Sequence, residues 1–261
     1  MKTKTTIRGL LSGATMMLGV ATAQAAFILV PGGIQEHFDG TTVDYTTWNT
    51  NTFQADADYT ISQNNELIMN LVPPDYGSFA FETREKLVQP GELVRVEVTP
   101  NGASLFGSRG NLLMLGAEAL NFDYDTGNYM YISWYEGDDA FKAYARGQPP
   151  LTQTNAVMVA SDHPIETTYV FEIARAFDGK SATFSLFLSD GVTPVPGSTP
   201  AVFDLSAAGF DDLWGDLRVV LISNNGQTTF DNVFISEAPE PTTAVLLALG
   251  GGLIAWRRRK S

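Results

Sequence analysis

The chain has 261 residues, no cysteine, 16 Lys and Arg against 29 Asp and Glu, and a formal net charge of −13. The missing cysteines exclude disulfide staples and thiolate nucleophiles, and the acidic balance argues against nucleic acid and anionic membranes as partners. The two ends carry three and four of the cations, so residues 26–241 hold nine against all 29 acids, a formal charge of −20.

Taken in order, Lys2, Lys4 and Arg8 precede an apolar stretch from Leu10 to Ala21, and Ala23-Gln24-Ala25 follows it. Basic region, short apolar run and A-x-A site together predict a secretory signal helix over 1–25, cut by signal peptidase after Ala25. Beyond it no long 3.6-residue period occurs. Short runs of Val, Ile, Phe, Tyr and Thr alternate with Gly, Pro, Asn and Asp, which predicts one antiparallel two-sheet β-sandwich over 26–238. Strands are expected at Tyr59–Ile61 and Leu67–Leu71, around an Asn64-Asn65 turn, and at Leu93–Val98, Leu112–Leu115, Leu217–Ile222 and Phe230–Ile235. The Pro-rich stretch 192–200 reads as a loop.

Two hairpins can be read with their register. In NYMYISWYEGDDAFKAYARG, a loop at Glu136–Asp139 pairs Tyr135 with Ala140, Ser133 with Lys142, Tyr131 with Tyr144 and Tyr129 with Arg146. The opposite face pairs Trp134 with Phe141, Ile132 with Ala143 and Met130 with Ala145, and is plainly core. The first face carries Tyr129, Tyr131, Tyr135, Lys142, Tyr144 and Arg146. Aromatic plates beside hydrogen-bonding groups suit a polysaccharide, because rings stack on the apolar faces of sugars. The same residues also populate ordinary solvated sheet faces. In TTYVFEIARAFDGKSATFSLFL, Asp178-Gly179 reads as a two-residue type I′ turn. It places Ile173 opposite Phe184, Phe171 opposite Leu186 and Tyr169 opposite Leu188 on one apolar face.

Catalytic chemistry is thinly represented, and no catalytic residue is assigned. No Gly-x-Ser-x-Gly elbow, His-Glu-x-x-His motif or phosphate loop occurs, and His37 and His163 read as ordinary surface residues. No organic cofactor is implied. Calcium is the one inorganic partner offered, by Asp123 and Asp125 with Asn128 in FDYDTGN, although such loops are also common turn chemistry. Asp211, Asp212 and Asp216 have the same standing.

The chain ends in APEPTTAVLLALGGGLIAWRRRKS, with fifteen uncharged residues from Thr242 to Trp256 before Arg257, Arg258, Arg259 and Lys260. Fifteen helical residues span roughly 22 Å, and a Trp and long Arg side chains extend such a span to the membrane interface. A transmembrane helix is expected, with its cations held on the cytoplasmic side. The triplet Pro239-Glu240-Pro241, the apolar helix and the Arg cluster resemble the PEP-CTERM sorting signal. That resemblance implies export, recognition by a membrane exosortase, cleavage near the triplet, and a final place at the cell surface or in extracellular matrix.

HFDGTTVDYTTW, with Phe38, Asp39, Gly40 and Trp48, resembles the opening strand of concanavalin A-like lectin/glucanase jelly rolls. SRGNLLMLG (108–116) and TTFDNVFIS (228–236) also look like bacterial members of that group. The resemblance implies that the last strand returns beside the first. Its glucanase branch needs closely spaced carboxylates on one strand; here only Glu136-Gly137-Asp138-Asp139 comes near, without the final Glu. The reading is therefore a non-catalytic, polysaccharide-binding surface protein. The alternatives are a glycan hydrolase or lyase with unfamiliar residues such as Glu118 or Asp123, and a structural matrix or adhesion protein.

Overall fold

The computed structural model describes residues 35–53, 59–71, 78–101, 109–117, 128–135, 140–147, 152–160, 167–206, 215–224 and 227–238. The signal segment with Ala23 and Ala25, the tail with Pro239, Glu240, Pro241 and Arg257–Arg259, and Glu118, Asp123, Asp125, Glu136–Asp139, His163, Asp211 and Asp212 lie outside the described residues.

Fifteen strands follow in order: β1 (Gln35–Glu36), β2 (Trp48–Phe53), β3 (Tyr59–Gln63), β4 (Leu67–Leu71), β5 (Ser78–Thr83), β6 (Glu92–Asn101), β7 (Arg109–Gly116), β8 (Tyr129–Tyr135), β9 (Ala140–Gly147), β10 (Thr152–Ala160), β11 (Tyr169–Arg175), β12 (Ser181–Leu188), β13 (Ala201–Asp204), β14 (Arg218–Asn224) and β15 (Gln227–Glu237). They build two antiparallel sheets. The eight-stranded sheet runs β13-β12-β11-β6-β15-β4-β3, with β1 also on β15. The seven-stranded sheet runs β10-β9-β8-β7-β14-β5-β2. The first strand thus lies on the last, as the jelly-roll resemblance implies, with Gln35 opposite Phe234 and Glu36 opposite Val233.

The core fills the space between the sheets. Val94, Val96 and Val98 of β6 and Phe171 and Ile173 of β11 meet Leu113, Leu115, Met130, Ile132 and Phe141 from the other sheet. Burying apolar side chains of this size stabilises the fold by about 1.5–3 kcal/mol each. The Phe-Asp-Gly segment is part of this packing. Phe38 takes φ +48°, a conformation unfavourable for a bulky residue, yet is buried against Trp48 (centroids 5.9 Å), which stacks on Phe81 at 4.9 Å. Bonds to its carbonyls hold the strained segment: Asn65 N–H donates to Gly40 C=O (2.9 Å), and the Gln63 side-chain Nε2 donates to Asp39 C=O (2.8 Å).

Both hairpin registers agree with the sequence reading. Tyr131 faces Tyr144 and Trp134 faces Phe141 across β8–β9, and Ile173 faces Phe184 across β11–β12. The second turn differs from expectation. A type I′ turn needs positive φ at both central residues, but Gly179 has φ +69° and Asp178 is not in that region. Gly179 N–H donates instead to Ala176 C=O (2.9 Å) and Ala176 N–H to Ser181 C=O (2.9 Å), so four residues, Phe177–Lys180, form the loop. The Asp178 carboxylate caps it by accepting the Lys180 N–H (2.9 Å). The strand register survives, because it is held by the apolar face and not by the turn. The 192–200 stretch is a loop, as expected, but it buries Val195 and bridges Pro194 to Phe187 before β13 begins.

Candidate functional site

Alternation along β5, β8, β9 and β14, and along β7 beyond a register shift between Asn111 and Leu113, sends every second residue to the outer face of the seven-stranded sheet. Pairing aligns Glu82, Val220, Met114, Tyr131, Tyr144 and Asn155 in one row across six strands. In the neighbouring row Gly116, Tyr129 and Arg146 stand in line. Exposure rises along the first row. Val220 and Met114 are buried, Tyr131 and Tyr144 are half-buried, and Asn155 at the β10 edge is exposed.

Tyr131 and Tyr144 stack on each other, with centroids 4.6 Å apart and planes 14° from parallel. Cross-strand aromatic pairs of this kind contribute roughly 0.5–1.5 kcal/mol beyond burial. Each ring thus covers one face of the other, and Tyr131 also packs against the outer apolar cluster. Tyr129 leans on Tyr131 at 6.4 Å, and the Arg146 guanidinium lies 5.7 Å from the Tyr129 ring centre. Lys142 is half-buried, opposite Ser133.

The expected face is thus brought together, but not as a uniformly wet surface. Tyr129 and Arg146 are only 5% and 8% exposed, so they are covered on this face and not open to solvent. Tyr131, Lys142 and Tyr144 are the expected residues that solvent reaches; the Tyr135 side chain is outside the described residues. Sequence reasoning also missed a second apolar cluster on this outer face, made by Ala80, Met114, Tyr129, Val220 and Ile222. The unbroken apolar run Val219-Val220-Leu221-Ile222 was the available signal, since a strand buried on one side alone would alternate.

The remaining expectations fare differently. Asn128 is half-buried at the start of β8, and Asp216 is exposed. Among the described residues no group of three or more His, Asp or Glu is placed to hold a metal ion. His37 is no ordinary surface residue. Its Nδ1–H donates to Asn232 Oδ1 (2.6 Å), its Nε2 accepts from Gln35 Nε2 (2.7 Å), and its ring packs edge-on to Phe234 at 5.3 Å.

Residues 237–260 match the PEP-CTERM protein-sorting motif. No curated protein matches the chain. Solved structures do. A Bacillus subtilis protein of unknown function with a galectin-like fold superposes with a TM-score of 0.56 at 12% identity, covering 79% of this chain and 96% of its own. The VIP36 exoplasmic/lumenal domain, bound to Ca²⁺ and Man3GlcNAc, gives 0.53 at 9% identity, covering 82% and 92%. The galactose-bound lectin UEA-II gives 0.52 at 7% identity, covering 79% and 98%.

The domain is a lectin-like jelly roll. Identities this low establish the shape and nothing about a ligand. The chain therefore combines an exosortase-type sorting motif, the mark of an exported protein, with a lectin-like domain.

Proposed function

We propose that this protein binds extracellular polysaccharide without turning it over, through the outer face of the seven-stranded sheet. The stacked, half-buried Tyr131–Tyr144 pair carries the reading. An aromatic ring held rigid by a neighbour offers an apolar plate at little entropic cost, and Lys142 beside it supplies a charged hydrogen-bond donor. Arg146 lies against the Tyr129 ring and fixes it next to the stacked pair. The row from Tyr131 to Asn155 crosses three strands, which suits an extended chain better than a single sugar.

Sorting completes the proposal. Signal peptidase releases the N-terminus, and the tail anchors the protein in the inner membrane until exosortase cuts near Pro239-Glu240-Pro241. The domain then resides at the cell surface or in its polysaccharide matrix. Affinity electrophoresis against a panel of neutral and acidic polysaccharides, including the producer's own, tests the binding. Retardation that disappears with Tyr131→Ala supports it, and unchanged mobility on every gel refutes it. A reducing-end assay on the same panel separates binding from hydrolysis, with no release of reducing ends expected.

A further inference from the structure

The opposite outer face, that of the eight-stranded sheet, carries a separate groove of about 410 Å³. That volume falls within the roughly 300–1,000 Å³ typical of small-ligand sites. Gln35, Arg95, Glu97, Asp190, Asn232 and Phe234 line it, from both ends and the middle of the chain.

The groove is built on an irregularity. β15 shifts register against β6 between Asp231 and Phe234, and Asn232 there takes φ +49°. Bulges bend a strand and re-aim its side chains, and they are frequent beside binding sites. Here the bulge is held from two sides: Asp231 Oδ1 accepts the Asn232 N–H (2.8 Å), and His37 Nδ1–H donates to Asn232 Oδ1 (2.6 Å). His37 also accepts from the Gln35 amide, which fixes a second lining residue. Arg95 is fixed as well, by Glu172 (Nε to Oε2, 2.6 Å), by Gly191 C=O (3.3 Å) and by the Phe187 ring (5.2 Å).

Charge narrows the ligand class. Glu172 neutralises Arg95. Asp190 uses its carboxylate to cap its own turn, accepting from Val192 N–H, Thr193 N–H and the Thr193 hydroxyl, and these bonds keep it ionised. Glu97 faces Asp231 across β6–β15 and has no hydrogen-bond or ion-pair partner among the described residues. The like charges are felt: burial first, then Glu97 and Glu66, push the Asp231 carboxyl up to about 6, against the Asn232 N–H bond and, more weakly, His37. An anion is repelled here, whereas hydroxyl groups and an ammonium find acceptors, and the Phe234 ring offers an apolar wall.

We propose that this groove is a second ligand site, taking one non-anionic sugar unit and holding it more tightly when it carries an ammonium group. Glu97 accepts from the ammonium or from vicinal hydroxyls, Asn232 and Gln35 bond further hydroxyls, and Phe234 covers an apolar sugar face. The site is independent of the tyrosine face, which belongs to the other sheet.

Saturation-transfer NMR and titration calorimetry on the purified full-length protein, with methyl glucoside, glucosamine and glucuronate as probes, test it. Glucosamine is expected to bind best, methyl glucoside more weakly and glucuronate not at all. Glu97→Gln should weaken glucosamine by about tenfold, the worth of one charge-assisted hydrogen bond, and bring it level with methyl glucoside. Val202→Ser, at an exposed position of β13 outside both faces' sites, should leave all three unchanged. Absence of transfer from every probe overturns the proposal, as does preference for glucuronate. Loss of the signal in Tyr144→Ala with retention in Glu97→Gln also overturns it, since the sugar would then sit on the other face.

Discussion

Replacing Tyr144 by alanine separates the structural from the functional role of the tyrosine face. A large aromatic buries about 150–250 Å² when fully covered, so a half-buried ring removes roughly 100 Å² of apolar surface from water. At about 25 cal/mol per Å² this is near 2.5 kcal/mol, reduced to about 2 by the compactness of real unfolded chains. The lost stack with Tyr131 adds up to about 1 kcal/mol. A loss of ~2–3 kcal/mol lowers the melting temperature by roughly 4–12 °C in a domain of this size, readable by calorimetry. Binding should suffer separately. If the outer ring face stacks on a sugar, truncation at a well-packed contact costs more than ~1.4 kcal/mol, over tenfold in affinity. Tyr144→Phe keeps the plate and should stay near wild type in both measurements. Polysaccharide affinity within twofold of wild type for a folded Tyr144→Ala protein would refute the reasoning.

Three further expectations follow from particular groups. The Asp231 carboxyl titrates near 6 in the fold, above its usual range, so the folded state binds its proton more tightly than the unfolded state. That contribution is present in acid and is lost as pH rises from about 4 through 6. Asp231→Asn should therefore be more stable than wild type at pH 7, by ~1 kcal/mol after allowing for partial solvent screening, and equal to it near pH 4; urea midpoints at both pH values decide this. Arg175 is 1% exposed, and its Nη1 donates to Val88 C=O (3.0 Å) and Gly215 C=O (2.9 Å). Burial draws its pKa down to about 10, which leaves it charged at neutral pH. Arg175→Ala strands both carbonyls and opens a cavity, at ~3–5 kcal/mol, so a melting temperature within ~3 °C of wild type would contradict this account. Changing Pro239, Glu240 and Pro241 to Ala should leave an uncut precursor, whose intact mass still includes Trp256 and the Arg cluster.

Some features were legible because they are local. Period-2 alternation within twenty residues sets the β8–β9 and β11–β12 registers, and a one-residue slip in either would expose a whole apolar face. The sorting motif is likewise contiguous and needs no fold to be read. The Asp178-Gly179 turn was less legible, since that dipeptide suits more than one turn type and the loop length settles the choice.

What alternation cannot say is which strands become neighbours and what lies over each face. β14 sits between β7 and β5, and β15 between β6 and β4, through contacts separated by more than a hundred residues. Those pairings bury Tyr129 and Arg146, leave Tyr131 and Tyr144 half-open, and draw Gln35, Arg95 and Asn232 around one groove. The sequence by itself determined the address of this protein and the two-layered character of its domain, because both are written in short patterns. Only the tertiary structure decided which polar and aromatic groups reach solvent together, because that depends on distant strands competing to cover the same apolar surface.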